Sequence, residues 1–101
     1  MQTQVFNTTG KARISLAGRF DFSAHREFKN SYEPTLKAGD VAEVEIDMGS
    51  VEYLDSSALG MLLMLKEKAG SAKKTVSLTN CRGSVRQVLD IANFGKLFPI
   101  R

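Results

Sequence analysis

The chain has 101 residues, of which 43% are apolar and 25% charged, with a net charge of +3. That is enough for one domain, residues 1–101, whose core needs neither disulfide nor metal, and no apolar run is long enough to span a membrane. The positive excess lies in residues 51–101, eight Lys/Arg against four Asp/Glu, but no basic run exceeds Lys73-Lys74, so it reads as a solvated surface rather than a nucleic-acid face.

In chain order, Gln4 to Asn7 is a short strand. Thr8-Thr9-Gly10-Lys11 is a turn, with Gly10 free to take positive φ. Ala12 to Ala17 alternates as a second strand, with Ile14 and Leu16 against Arg13 and Ser15. The two form a hairpin. Ser23 is placed to cap a helix over about Ala24 to Tyr32, which Pro34 is expected to stop. After the Gly39-Asp40 turn, Val41 to Met48 reads as a strand. Val44, Ile46 and Met48 lie on one face, and Glu43, Glu45 and Asp47 lie on a wet face or near an edge.

A polar break leads to Asp55, the expected cap of a central helix. Its carboxylate accepts from the free N–H groups of the first turn, which makes Ser56 the first helical residue. At 100° per residue, Ala58, Leu59, Met61, Leu62, Leu65 and Ala69 form a core face. Ser56, Gly60, Leu63, Met64 and Glu67 form the other: a hydroxyl, a residue without a side chain, then an apolar strip. Gly70 to Lys74 ends the helix, and Thr75 to Leu78 is a β-branched strand. Gly83 to Ile91 is a helix with Val85, Val88, Leu89 and Ala92 in register. Asn93-Phe94-Gly95 ends it, and Leu97, Phe98 and Ile100 pack back on the body. The order β-β-α-β-α-β-α predicts an α/β fold: a mixed sheet with right-handed crossovers and helices mainly on one face.

The residues give little for an enzyme. His25 is the single histidine and reads as a surface residue. There is no triad order, no glycine-rich phosphate loop and no metal-ligand cluster, so no cofactor or metal is expected. Asp55 beside Ser56 is a weak base–nucleophile pair, because a capping carboxylate is committed to backbone N–H groups. Cys81, the single cysteine, has no disulfide partner. The N-terminus lacks a basic region followed by an apolar stretch, so a cytoplasmic protein without a secretory leader is expected. A regulatory serine fits better. Phosphorylation of Ser56 would add close to two negative charges at a helix start that tolerates them, while a partner surface would have to desolvate them.

Three stretches resemble the STAS domains of bacterial anti-sigma-factor antagonists. Leu54-Asp-Ser-Ser-Ala-Leu-Gly-Met-Leu-Leu63 is similar to their signature, with Ala58 at a position where glycine is commoner. Leu16-Ala-Gly-Arg-Phe-Asp21 resembles the end of their second strand, and Ile46 to Asp55 the strand and turn before the serine. The resemblance implies a STAS-like fold and a phosphorylated serine at Ser56, flanked by Asp21 and Asp55. It implies that the unphosphorylated form binds an anti-sigma factor or serine kinase with a kinase-like ATPase fold, and that a PP2C-type phosphatase resets it. The helical wheel adds Ser57, Gly60, Leu63 and Met64 to the partner-binding set. One alternative keeps the switch but directs it to a non-sigma output such as biofilm formation or secretion. Another is a ligand-sensing or scaffold domain in which Ser56 only caps. Some STAS domains are attached to anion transporters; an intact serine on a 101-residue chain argues against that use.

Overall fold

The computed structural model describes residues 1–101. The strands are β1 (Gln2–Thr8), β2 (Gly10–Phe20), β3 (Val41–Leu54) and β4 (Thr75–Thr79), and the helices α1 (His25–Lys37), α2 (Ser56–Ser71) and α3 (Gly83–Ile91). Short 3₁₀ turns cover Phe22–Ala24 and Phe94–Lys96. The sheet order is β1-β2-β3-β4, antiparallel between β1 and β2 and parallel thereafter. Each parallel step moves one strand further in the same direction. Right-handed crossovers therefore put α1, α2 and α3 on one face.

Alternation in the strands separates the two faces. Ala12, Ile14, Leu16, Val44, Ile46, Met48, Val76 and Leu78 are buried beneath the helices. The rings of Phe20, Phe28 and Tyr32 run from the end of β2 along α1, with centroids 4.9 and 5.2 Å apart. The opposite face carries charge, as Glu43, Glu45 and Asp47 predicted. β3 is nevertheless an interior strand. Its carboxylates are matched by β2: Lys11 lies 3.5 Å from Glu43, and Arg13 lies 3.3 Å from Glu45 and 2.9 Å from Asp47.

Several boundaries differ from the sequence reading, each for a physical reason. β3 runs six residues beyond Met48, and β2 continues to Phe20. Their register shifts near Gly10, between Ser15 and Ala17, and after Gly18. At each shift β3 carries an extra residue, so pairing continues while strict alternation breaks. Pro34 does not stop α1, which runs on to Lys37. Proline deprives the Asn30 carbonyl of its usual donor, but Asn30 and Pro34 are both exposed, on the side of the helix where losing that bond costs least. Nor is Ser23 the cap. Asp21 accepts from the Ser23 N–H at 3.0 Å and caps the 3₁₀ turn ahead of α1. Gly70 lies within α2, which ends at Ser71. Phe98 packs into the core, and Ile100 pairs with Leu78 in parallel, so the tail returns to the body as expected.

Candidate functional site

Phe20 and Leu54 are register partners at the C-terminal ends of β2 and β3. The next residues, Asp21 and Asp55, therefore leave the sheet side by side, and the Asp55 N–H donates to the Phe20 carbonyl at 3.4 Å. Asp55 adopts extended backbone, and its Oδ1 accepts from the Ala58 N–H at 3.1 Å. It is the cap the sequence predicts. The cap position thus falls to the carboxylate, and Ser56 stands exposed on the first turn of α2.

Below Ser56, α2 divides as the helical wheel predicts. Ala58, Met61, Leu62, Leu65 and Ala69 are buried, and Leu59 is partly so. Gly60 and Glu67 are exposed, with Leu63 and Met64 at 40% and 46%. A Cβ added at Gly60 would meet nothing within 4 Å. The glycine is therefore not required by packing inside the chain. It leaves a flat spot on an apolar strip, where another surface can come close.

The strip borders a groove of about 290 Å³ lined by Phe22, His25, Ser57, Gly60, Met61 and Met64. Of the six residues assigned to partner binding, Ser57, Gly60 and Met64 meet here. Leu63 lies on the other flank of Gly60, and Asp21 and Asp55 stand at the strand ends. Phe22 and His25 were missed. Phe22 is 75% exposed, immediately after the cap Asp21. An exposed phenylalanine in a turn has no periodicity to announce it. His25 forms one wall of this groove.

Arg19 is the cation nearest these strand ends by sequence. Its Nε lies 3.4 Å from Asp21, and its guanidinium sits 4.3 Å over the ring of Tyr53, its register partner. The Ser23 hydroxyl holds the Asp21 carboxyl below its ordinary range; the Ser23 N–H and Arg19 add to this against a smaller opposing effect of desolvation. The rim of the site thus carries the Asp21 carboxylate paired with the Arg19 guanidinium. Cys81 is a different case. Burial pushes its thiol up to about 11, which makes it a packing residue, not a nucleophile. No group of three or more His, Cys, Asp or Glu side chains is arranged to hold a metal.

This is an exposed, partly apolar helix face with a hydroxyl at its head, on a mixed sheet whose parallel strands end beside it. The protein-family model described as "Mlab, STAS domain" matches residues 4–99. The chain belongs to this STAS family. A STAS-domain containing protein of Pseudomonas aeruginosa (strain UCBPP-PA14) is 46% identical over 87 residues, covering 86% of this chain and 84% of that protein. The STAS fold recurs in an anti-sigma factor antagonist from Mycobacterium paratuberculosis, with TM-score 0.84, 24% identity, and 98% and 83% of the two chains covered. It recurs in the Bacillus cell fate determinant SpoIIAA in its phosphorylated form, with TM-score 0.74, 19% identity, and 99% and 91% covered. A murine solute carrier 26 anion transporter contains it too, with TM-score 0.74, 14% identity, and 85% of this chain against 14% of that one. No helix of this chain is long and apolar enough to cross a membrane.

Proposed function

We propose that this STAS chain is a phosphorylation-switched binding protein acting as an anti-sigma-factor antagonist. Its unphosphorylated α2 face binds a regulator with a kinase-like ATPase fold, an anti-sigma factor or a relative of one, in the cytoplasm. Phosphorylation of Ser56 releases the regulator, and a PP2C-type phosphatase restores binding. The observation that carries this reading is the division of labour at the start of α2. Asp55 makes the cap bond, and Ser56 is left exposed at the head of the Gly60–Leu63–Met64 strip.

A phosphate there has opposite effects on folding and on binding. The α2 N-terminus has unpaired N–H groups and a positive dipole end, so the fold accepts a dianion. Asp21 and Asp55 beside it add repulsion, and a partner lying over the strip would have to desolvate the phosphate. Among proteins of this fold, SpoIIAA has been solved in its phosphorylated form. The same device serves a target outside sigma-factor control equally well, because nothing in the α2 face depends on what the partner does next.

The test is site mapping. The chain is incubated with ATP and lysate of its native cell, and phosphopeptides are sequenced by mass spectrometry. Phosphate on Ser56, absent from Ser56→Ala, is the expected result. Phosphate confined to other residues would contradict the assignment.

A further inference from the structure

The two outer strands of the sheet are finished differently. β4 is covered by the chain's own tail: the Leu78 N–H donates to the Pro99 carbonyl at 2.9 Å, and the Arg101 N–H donates to the Leu78 carbonyl at 2.8 Å. β1 is hydrogen-bonded on one side only, to β2. Outer strands ordinarily carry charges, prolines or bulges that prevent pairing with another chain. β1 reads Gln2-Thr3-Gln4-Val5-Phe6-Asn7-Thr8, with no ionisable side chain and no proline, in unbroken register with β2 over all 7 residues. Val5 and Phe6 point to opposite faces and are 41% and 51% exposed.

We propose that β1 is the pairing edge for a second copy of this chain, joined antiparallel about a two-fold axis through Val5. A strand running against its own copy satisfies the free backbone groups of both. With Val5 on the axis, Val5 meets Val5, Thr3 meets Asn7 and Gln4 meets Phe6. No like charges meet across the pair. The two sheets become one, with the helices of both copies on the same face.

A second, independent feature selects a copy of this chain over an unrelated strand. Val5 and Asn7 share a groove of about 340 Å³ with Asn30, Pro34 and Ala38, which shows the side of α1 turned toward β1. Along the outer rim of that side run Glu27, Asn30, Pro34 and Lys37, all exposed and at helical spacing. The axis through Val5 sets the two α1 helices antiparallel. Turned end for end, this stripe matches itself: Glu27 faces Lys37, and Asn30 faces Pro34. Opposite charges meet at both ends, as a self-complementary interface requires. Val5 lines the same groove as Asn30 and Pro34, and in the proposed dimer one axis serves strand and helix together. The dimer leaves the α2 strip of each copy free, and presents two such strips at once.

Sedimentation velocity over a concentration series tests this on the full chain. The wild type is expected to show a reversible monomer–dimer equilibrium. Val5→Lys brings two lysines together on the axis and is expected to weaken the dimer by about tenfold or more. Circular dichroism confirms that the variant is folded. Glu27→Lys is expected to weaken it as well, and the double variant E27K/K37E to restore it, a rescue that no folding defect produces. A wild type that stays monomeric at every concentration overturns the proposal, also if β1 then captures an extended peptide instead. So does a dimer that Val5→Lys leaves at full affinity.

Discussion

At Ser56 and Gly60, what folding needs and what binding needs fall on different atoms. The cap bond belongs to Asp55, so the Ser56 hydroxyl is free to change its charge. Ser56→Asp is therefore expected to unfold cooperatively, with a Tm within a few degrees of wild type, while losing the partner. Ser56→Ala should keep both properties. Thermal unfolding beside a binding assay checks the pair. Loss of cooperative unfolding in Ser56→Asp would make Ser56 a structural residue. Gly60→Arg exploits the open space around its Cα. It is expected to change stability by no more than about 1 kcal/mol, since an arginine suits a helix interior better than a glycine, and to block the partner through bulk and charge. Chemical denaturation measures the first effect and a pull-down the second. Both expectations were legible in the sequence, because a 16-residue helix with two contrasting faces displays its orientation. Phe22 and His25 were not legible, because their place beside Ser57 depends on how α1 and the 3₁₀ turn before it lie against α2.

Among the elements, β3 links the open face to the site. Asp47 accepts from Arg13 at 2.9 Å, Ser15 at 3.1 Å, the Gly49 N–H at 3.0 Å and Asn80 at 2.9 Å. It thereby fixes the irregular stretch at Gly49 and ties it to the start of the segment leading to α3. A Cβ at Gly49 would lie 3.2 Å from Asp47 Oδ1 and 3.3 Å from the Asn80 Cβ, so the glycine belongs to this arrangement. Burial alone would raise the Asp47 carboxyl, but the hydrogen bonds from Asn80, Gly49, Arg13 and Ser15 outweigh it and bring it from 3.8 down to about 2. A carboxylate depressed on folding stabilises the native state above its unfolded pKa, and that contribution fades as pH falls toward the folded value. Wild-type stability is therefore expected to drop between about pH 4 and pH 2, and Asp47→Asn to be weaker at neutral pH and flatter across that window. Thermal melts in an acid series decide this; equal slopes for the two proteins would remove Asp47 from the account. The strand ends were misread for the same reason that Asp47 is needed. Extra residues in β3 break the alternation on which a reading of period two depends, and only the partner strand reveals that pairing continues.

For the whole molecule, the sheet, the three helices and the returning tail share one core of 25 buried residues. The element order and the helices on one face followed from the sequence, since short consecutive crossovers leave few topologies open. The covering of β4 by the tail was half legible: Leu97, Phe98 and Ile100 announced an apolar tail, but not that it would add backbone pairing. Phe98 is 2% exposed and stacks on Phe94 with centroids 5.5 Å apart. Phe98→Ala is expected to lower stability by about 3 kcal/mol or more, by opening a cavity and loosening the cover on β4. A urea midpoint close to that of wild type would show that the tail only rests on the body.

The central claim is that one hydroxyl governs one surface. The direct measurement is a pull-down from native cell lysate with wild type, Ser56→Ala and Ser56→Asp as baits, read by mass spectrometry. The account predicts that a protein with a kinase-like ATPase fold comes down with wild type and Ser56→Ala and is lost with Ser56→Asp. Recovery of the same proteins by all three baits would contradict it and reduce Ser56 to an exposed residue at the start of a helix.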